Sequence, residues 1–120
     1  MVHALVCDDY EPILRLITVV LNGMGITATV AQEGGEALNL VSELRPGLII
    51  SDIDMPGING ISLFKKVQSD TAGLASTPFI LMSSVDRKRE ALEAGCVCFL
   101  TKPFSIEDLQ DIVRQALESE

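Results

Sequence analysis

Five short apolar runs, "ALVC" (4–7), "TATV" (27–30), "LIIS" (48–51), "FILMS" (79–83) and "CFL" (98–100), alternate with helical patterns along the whole chain. That alternation is the signature of βαβ units around a parallel sheet, and the crossovers are short enough for one doubly wound α/β domain over residues 1–120. No linker, repeat or low-complexity segment interrupts it. At 120 residues with 48% hydrophobic and 22% charged residues, the chain can bury a core without disulfides or a structural metal.

Local signals place five helices between and after the runs. The first begins near Pro12, a residue suited to a first helical turn, and stops around "NGMG". The second runs from about Glu36 to Leu44, ahead of Pro46, which cannot continue it. The third follows Gly60 and sets Ile61, Phe64 and Val67 on one face before fading into "SDTAGLAST". A short fourth covers roughly Asp86 to Ala94 and halts at Gly95. The fifth starts at Ser105, with Asp108 in the capping-box position and Ile106, Leu109, Ile112, Val113 and Ala116 at helical spacing.

In a doubly wound sheet the ligand crevice lies at the carboxyl ends of the strands. Here those ends carry Asp8 and Asp9, then Asp52 and Asp54, then Ser83 and Ser84, and finally Thr101, Lys102 and Pro103. The run "LIISDIDMPGING" thus passes from a buried strand straight into two acids and a turn. An ionised carboxylate at the mouth of an apolar core is costly without a partner. Asp8, Asp9 and Asp52 crowded together would repel one another, and a hard divalent cation such as Mg²⁺, which keeps several waters, removes that conflict. With Lys102 as a second cationic element and a nearby hydroxyl, the set suits a phosphoryl group, whose transfer depends on in-line positioning and charge neutralisation.

The formal net charge of −8 disfavours a direct grip on nucleic acid or an anionic membrane. The opening "MVHALVCDDYE" lacks the apolar length of a secretory signal, and no run approaches membrane-spanning length. Cys7, Cys96 and Cys98 offer no pairing framework and read as buried or half-buried thiols, so a cytoplasmic location is expected. His3 reads as an ordinary residue at the start of the first strand, and Tyr10 and Met55 as loop packing beside the crevice.

Over essentially its whole length the chain resembles the receiver domain of two-component response regulators. The resemblance rests on four elements in order: the acid pair of "LVCDD", the central aspartate of "LIISDIDMPGING", the hydroxyl of "FILMSS", and "FLTKPF". It implies the flavodoxin-like strand order 2-1-3-4-5, which doubly wound receivers share. It implies further that Asp52 accepts phosphate from a histidine kinase or histidine phosphotransfer protein. Asp9 and Asp52 would bind Mg²⁺ directly, Asp8 through water, and Asp54 through its backbone carbonyl. Ser83 and Lys102 would each hold a phosphoryl oxygen, and the Lys102–Pro103 peptide bond would be cis. Ser83 and Phe99 would form the switch that reports phosphorylation to a downstream protein or output domain.

Departures from the family pattern carry expectations of their own. Asp54 adds a negative side chain beside the acidic crevice and is expected to alter the phosphoryl lifetime. Between Ser83 and Lys102 the segment "SSVDRKREALEAGCVC" is shortened by about one helical turn. The shortening falls on the fourth helix, so a dimer through the fourth helix, fifth strand and fifth helix is not expected. No output domain follows "RQALESE" in this sequence, which assigns output to a partner or to the rest of a longer protein. The enzymatic content is then limited to self-phosphorylation and autodephosphorylation. Two competing readings are a phosphate-independent scaffold with a receiver fold and an aspartate-nucleophile phosphatase using "DIDMPG" as a DxD motif. The intact acids, Ser83 and Lys102 weigh against the first, and the short chain against the second.

Overall fold

The computed structural model describes residues 2–70, 74–83 and 87–118. Its elements alternate strictly: β1 (His3–Cys7), α1 (Glu11–Gly23), β2 (Thr27–Ala31), α2 (Gly34–Leu44), β3 (Leu48–Asp52), α3 (Gly60–Asp70), β4 (Phe79–Ser83), α4 (Lys88–Glu93), β5 (Cys98–Thr101) and α5 (Ile106–Glu118). The five strands form one parallel sheet in the order β2-β1-β3-β4-β5. This is the doubly wound flavodoxin-like order expected from the sequence.

Side-chain alternation divides the core into two layers. Ala4, Val6, Ile50, Ile80, Met82 and Leu100 face α1 and α5, whereas Leu5, Cys7, Ile49, Phe79 and Leu81 face α2, α3 and α4. All five residues of both β3 and β4 are buried, as continuous apolar runs in a doubly covered sheet require. β2 is an edge strand and only its last residue is buried. There His3, level with Thr27, bonds the hydroxyls of Thr27 (2.6 Å) and Thr29 (2.8 Å) through its two ring nitrogens. Its role is therefore to cover the edge with polar contacts.

Where element bounds differ from the sequence expectation, local physics supplies the reason. α2 begins at Gly34, two residues earlier than the propensities suggest, because packing demands a glycine there. A Cβ on Gly34 would stand 1.9 Å from the carbonyl oxygen of Ile58. α2 ends with Arg45 in the left-handed conformation, just before Pro46. The expected bounds of α4, Asp86 to Ala94, contract to six residues; Asp86 itself lies outside the described residues. Gly95 follows with φ 103°. Ile61, Phe64 and Val67 of α3 are buried as expected, and so are Leu109, Val113 and Ala116 of α5. Ile106, the first residue of α5, is instead exposed. Cys7, Cys96 and Cys98 are free and buried, and burial pushes the thiols of Cys7 and Cys96 up to about 12 and about 11, which leaves them unreactive.

α5 opens with a reciprocal capping box. The Asp108 N–H donates to Ser105 Oγ (3.0 Å), and the Ser105 N–H donates to Asp108 Oδ2 (3.2 Å). Two backbone donors with no intrahelical acceptor are thereby satisfied by one pair of side chains. Ser105→Ala should lower stability by about 1 kcal/mol in urea unfolding, with an unchanged m-value.

Candidate functional site

The parallel sheet brings the carboxyl ends of β1, β3, β4 and β5 to one edge, where β1 and β3 are direct neighbours. Asp8 follows β1, its N–H donating to the Ala31 carbonyl (3.1 Å) and so extending the β1/β2 ladder by one residue. Asp52 closes β3 level with Met82 of β4. Ser83 closes β4 level with Thr101 of β5, and the Ser83 carbonyl accepts from the Lys102 N–H (2.7 Å). Four separate segments are thus held in fixed register by backbone hydrogen bonds, and their side chains converge as a consequence.

The convergence centres on Lys102. Its ammonium donates to Asp8 Oδ2 at 2.6 Å and lies 3.2 Å from Asp52 Oδ1. Asp8, fully buried, also accepts the Tyr10 N–H on Oδ1 (2.9 Å). Asp52 is 5% exposed, and Asp9 is exposed at the rim. Carboxylate oxygens of Asp8, Asp9 and Asp52 lie within 4.8 Å of one another. Three carboxylates against one ammonium leave two formal negative charges, the complement of one divalent cation. An all-oxygen donor set of this kind fits a hard cation such as Mg²⁺.

The loop after β3 is shaped to present Asp52. The Ile53 N–H donates to the Met82 carbonyl and the Gly60 N–H to the Ile53 carbonyl, both at 2.9 Å. A Cβ on Gly60 would lie 2.2 Å from the Asp52 carbonyl oxygen, so the chain closes back on the backbone of Asp52 only because residue 60 has no side chain. Ser51 Oγ donates to the same carbonyl (3.0 Å), and Met55 packs beneath, buried as expected. Tyr10, expected to pack, is 59% exposed and lines the cleft with Ile13, Pro103 and the acids, in a space of about 570 Å³. The Lys102–Pro103 peptide bond is cis. Ser83 is fully buried at the end of β4, and Phe99 is half-buried against the core layer that contains α4. Ser84 and Val85 lie outside the described residues.

Sequence reasoning missed Arg87. It bonds the carboxylate of Asp54, 33 positions away, and also Glu90 of α4. The i,i+3 pairing with Glu90 was open to inspection in "DRKRE", but the contact with Asp54 needs the tertiary fold.

Comparison with known proteins agrees with this architecture. A family model described as the response regulator receiver domain matches residues 4–114. The chain belongs to the response regulator receiver domain family. Among curated relatives, the DNA-binding response regulator MtrA of Mycolicibacterium smegmatis is 32% identical over 116 residues, 94% of this chain and 49% of that protein. The regulatory protein AtoC of Escherichia coli is 32% identical over 95% of this chain and 25% of its own length. The chain therefore spans half or less of these relatives. Among solved structures, the receiver domain of the Francisella response regulator 1452 aligns with a TM-score of 0.86 at 33% identity, covering all of both chains. Chemotaxis response regulator CheY4 of Vibrio cholerae aligns at 0.90 with 28% identity, covering 98% of this chain and 99% of that one. Among the described residues, no helix is long and apolar enough to cross a membrane.

The electrostatics of this receiver site follow from its burial. Burial and the neighbouring Asp8 push the Asp52 carboxyl up to about 6 even though Lys102 pulls it down. Burial would lower the Lys102 ammonium, but its hydrogen bond to Asp8 and the charges of Asp52 and Asp8 outweigh that and hold it above its ordinary range. The metal-free fold thus binds the Asp52 proton more tightly than the unfolded chain does. Its contribution to stability is present at low pH and is lost as pH rises from about 4, the ordinary aspartate value, through about 6. In EDTA, Asp52→Asn should match the wild type near pH 4 and exceed it by on the order of 2 kcal/mol above pH 7, measured by urea unfolding across that range. A difference independent of pH would contradict the assigned charge balance.

Proposed function

We propose that this receiver is a phosphorylation-dependent signalling switch in which Asp52 is the phosphoacceptor. The observation that carries the reading is the Lys102 ammonium shared between Asp8 and Asp52 at the strand ends, with Asp9 completing the acidic cluster. The donor is a histidine kinase or a histidine phosphotransfer protein, and small acyl phosphates serve as chemical substitutes. Asp9, Asp52 and the Asp54 carbonyl would hold Mg²⁺, with Asp8 completing the acidic set around it. When bound, the ion neutralises charge on the phosphoryl oxygens.

The work of the side chains follows from their placement. An Asp52 carboxylate oxygen attacks phosphorus and a new O–P bond forms. The bond from phosphorus to the donor breaks, and the leaving group, imidazole or acetate, takes the electron pair. The carboxylate becomes an acyl phosphate carrying more negative charge, and Lys102, already 3.2 Å from Asp52 Oδ1, is positioned to offset it. The Ser83 hydroxyl donates to a phosphoryl oxygen. Attack of water on phosphorus later releases phosphate and restores the carboxylate, the only turnover this reading includes.

Output is a change of surface. Movement of Ser83 toward the phosphoryl group shifts the end of β4, and Phe99, half-buried beside α4, turns into the space released. Such coupling requires a two-state element that the added group biases. The recipient is a downstream protein or an output domain, consistent with the chain spanning half the length of MtrA. The net charge of −8 makes direct contact with nucleic acid unfavourable. Incubation with Mg²⁺ and acetyl phosphate should add one phosphoryl group by intact mass, and none in Asp52→Asn or in EDTA. Absence of labelling in the wild type would favour a phosphate-independent scaffold, and sustained turnover of a phosphate monoester would favour a phosphatase.

A further inference from the structure

Asp54 stands at the entrance to the cleft, which it lines together with Asp8, Asp9 and Asp52, and its side chain is 59% exposed. Lys102 is already committed to Asp8 and Asp52. A free carboxylate at that position would face every anionic phosphodonor that approaches Asp52. It is not free, because Arg87 Nη1 donates to Asp54 Oδ1. Arg87 is in turn fixed by the first turn of α4, where Nε (2.9 Å) and Nη2 (2.8 Å) both reach Glu90 Oε1. With its guanidinium held from two sides, Arg87 is only 25% exposed. The pairing neutralises the Asp54 carboxylate at the rim of the cleft and ties it to α4.

We propose that Arg87 is a positioning residue for phosphoryl transfer: it clamps and neutralises the Asp54 carboxylate against α4, keeping the cleft entrance accessible to an anionic phosphodonor. The claim rests on Asp52 as phosphoacceptor. It also ties the β3–α3 loop, which follows Asp52 and carries the Asp54 carbonyl, to the first turn of α4 through one side chain. A planar guanidinium suits the task, since it can hold two carboxylates at once in a defined geometry.

The clamp gives two effects of opposite sign, which separates it from a merely structural role. Arg87→Gln removes a positive charge near the acidic cluster and releases Asp54, so Mg²⁺ should bind about two- to threefold more tightly at low ionic strength. Labelling by acetyl phosphate at saturating Mg²⁺ should slow by about fivefold, and both changes should shrink in high salt. Arg87→Lys should recover part of the rate. In the Asp54→Asn background there is no carboxylate to clamp, so adding Arg87→Gln should leave the labelling rate within about twofold. Equal slowing by Arg87→Gln in both backgrounds would overturn the proposal, as would wild-type labelling in Arg87→Gln or a loss of Mg²⁺ affinity alongside the rate. If the wild type takes up no phosphoryl group at all, the phosphoacceptor reading fails instead. The Mg²⁺ titration then decides the clamp alone, and unchanged affinity in Arg87→Gln overturns it.

Discussion

The ammonium of Lys102 makes the rest of this site possible. Without it, Asp8 would be a fully buried carboxylate held by one backbone N–H, and the nearly buried Asp52 would face a like charge with no cation beside it. Removing one partner from a buried ion pair typically costs about 3–5 kcal/mol, yet such pairs add little net stability over apolar packing. The bridge is therefore poorly explained as a device for stability. It is better explained as a way to hold Asp8 and Asp52 side by side where the proposed cation and phosphoryl group would be received.

The fold supplies that bridge by topology. Lys102 directly follows β5 and Asp8 directly follows β1, strands separated in the sheet by β3 and β4, and the parallel register puts both at the same edge. Hydrogen bonds from the Lys102 N–H to the Ser83 carbonyl and from the Ile53 N–H to the Met82 carbonyl lock the intervening ends together. The polar cluster consequently sits on two fully buried strands, a rigid base for a site whose geometry must hold to fractions of an ångström. To one side of it α4 is a single short helix and Phe99 is only partly covered.

Much of this was legible in the chain because parallel sheets write their strands as continuous apolar runs. "LIIS" and "FILMS" are buried throughout; Asp52, which enters the cleft, follows the first directly, and the second ends on the buried Ser83. Strand order and the meeting of Asp8, Asp9, Asp52 and Lys102 followed from the family resemblance together with the rule that sites lie at strand ends. Other features depend on contacts that no local pattern encodes. Gly34 looks like a helix breaker until Ile58 is seen against it, and Arg87 looks like a surface charge until the fold sets it on Asp54. Tyr10 and Ile106 read as packing residues by hydrophobicity, yet both stand exposed, at the starts of α1 and α5.

The central claim is that the carboxylate at position 52 is the group that carries phosphate, and borohydride reduction of the phosphorylated protein tests it most directly. Hydride converts an acyl phosphate to an alcohol with release of phosphate, so peptide mass mapping reads the modified position as homoserine. Homoserine at position 52 and nowhere else is the predicted result. Homoserine at position 8, 9 or 54, or a phosphate that survives reduction on a serine, would contradict the account.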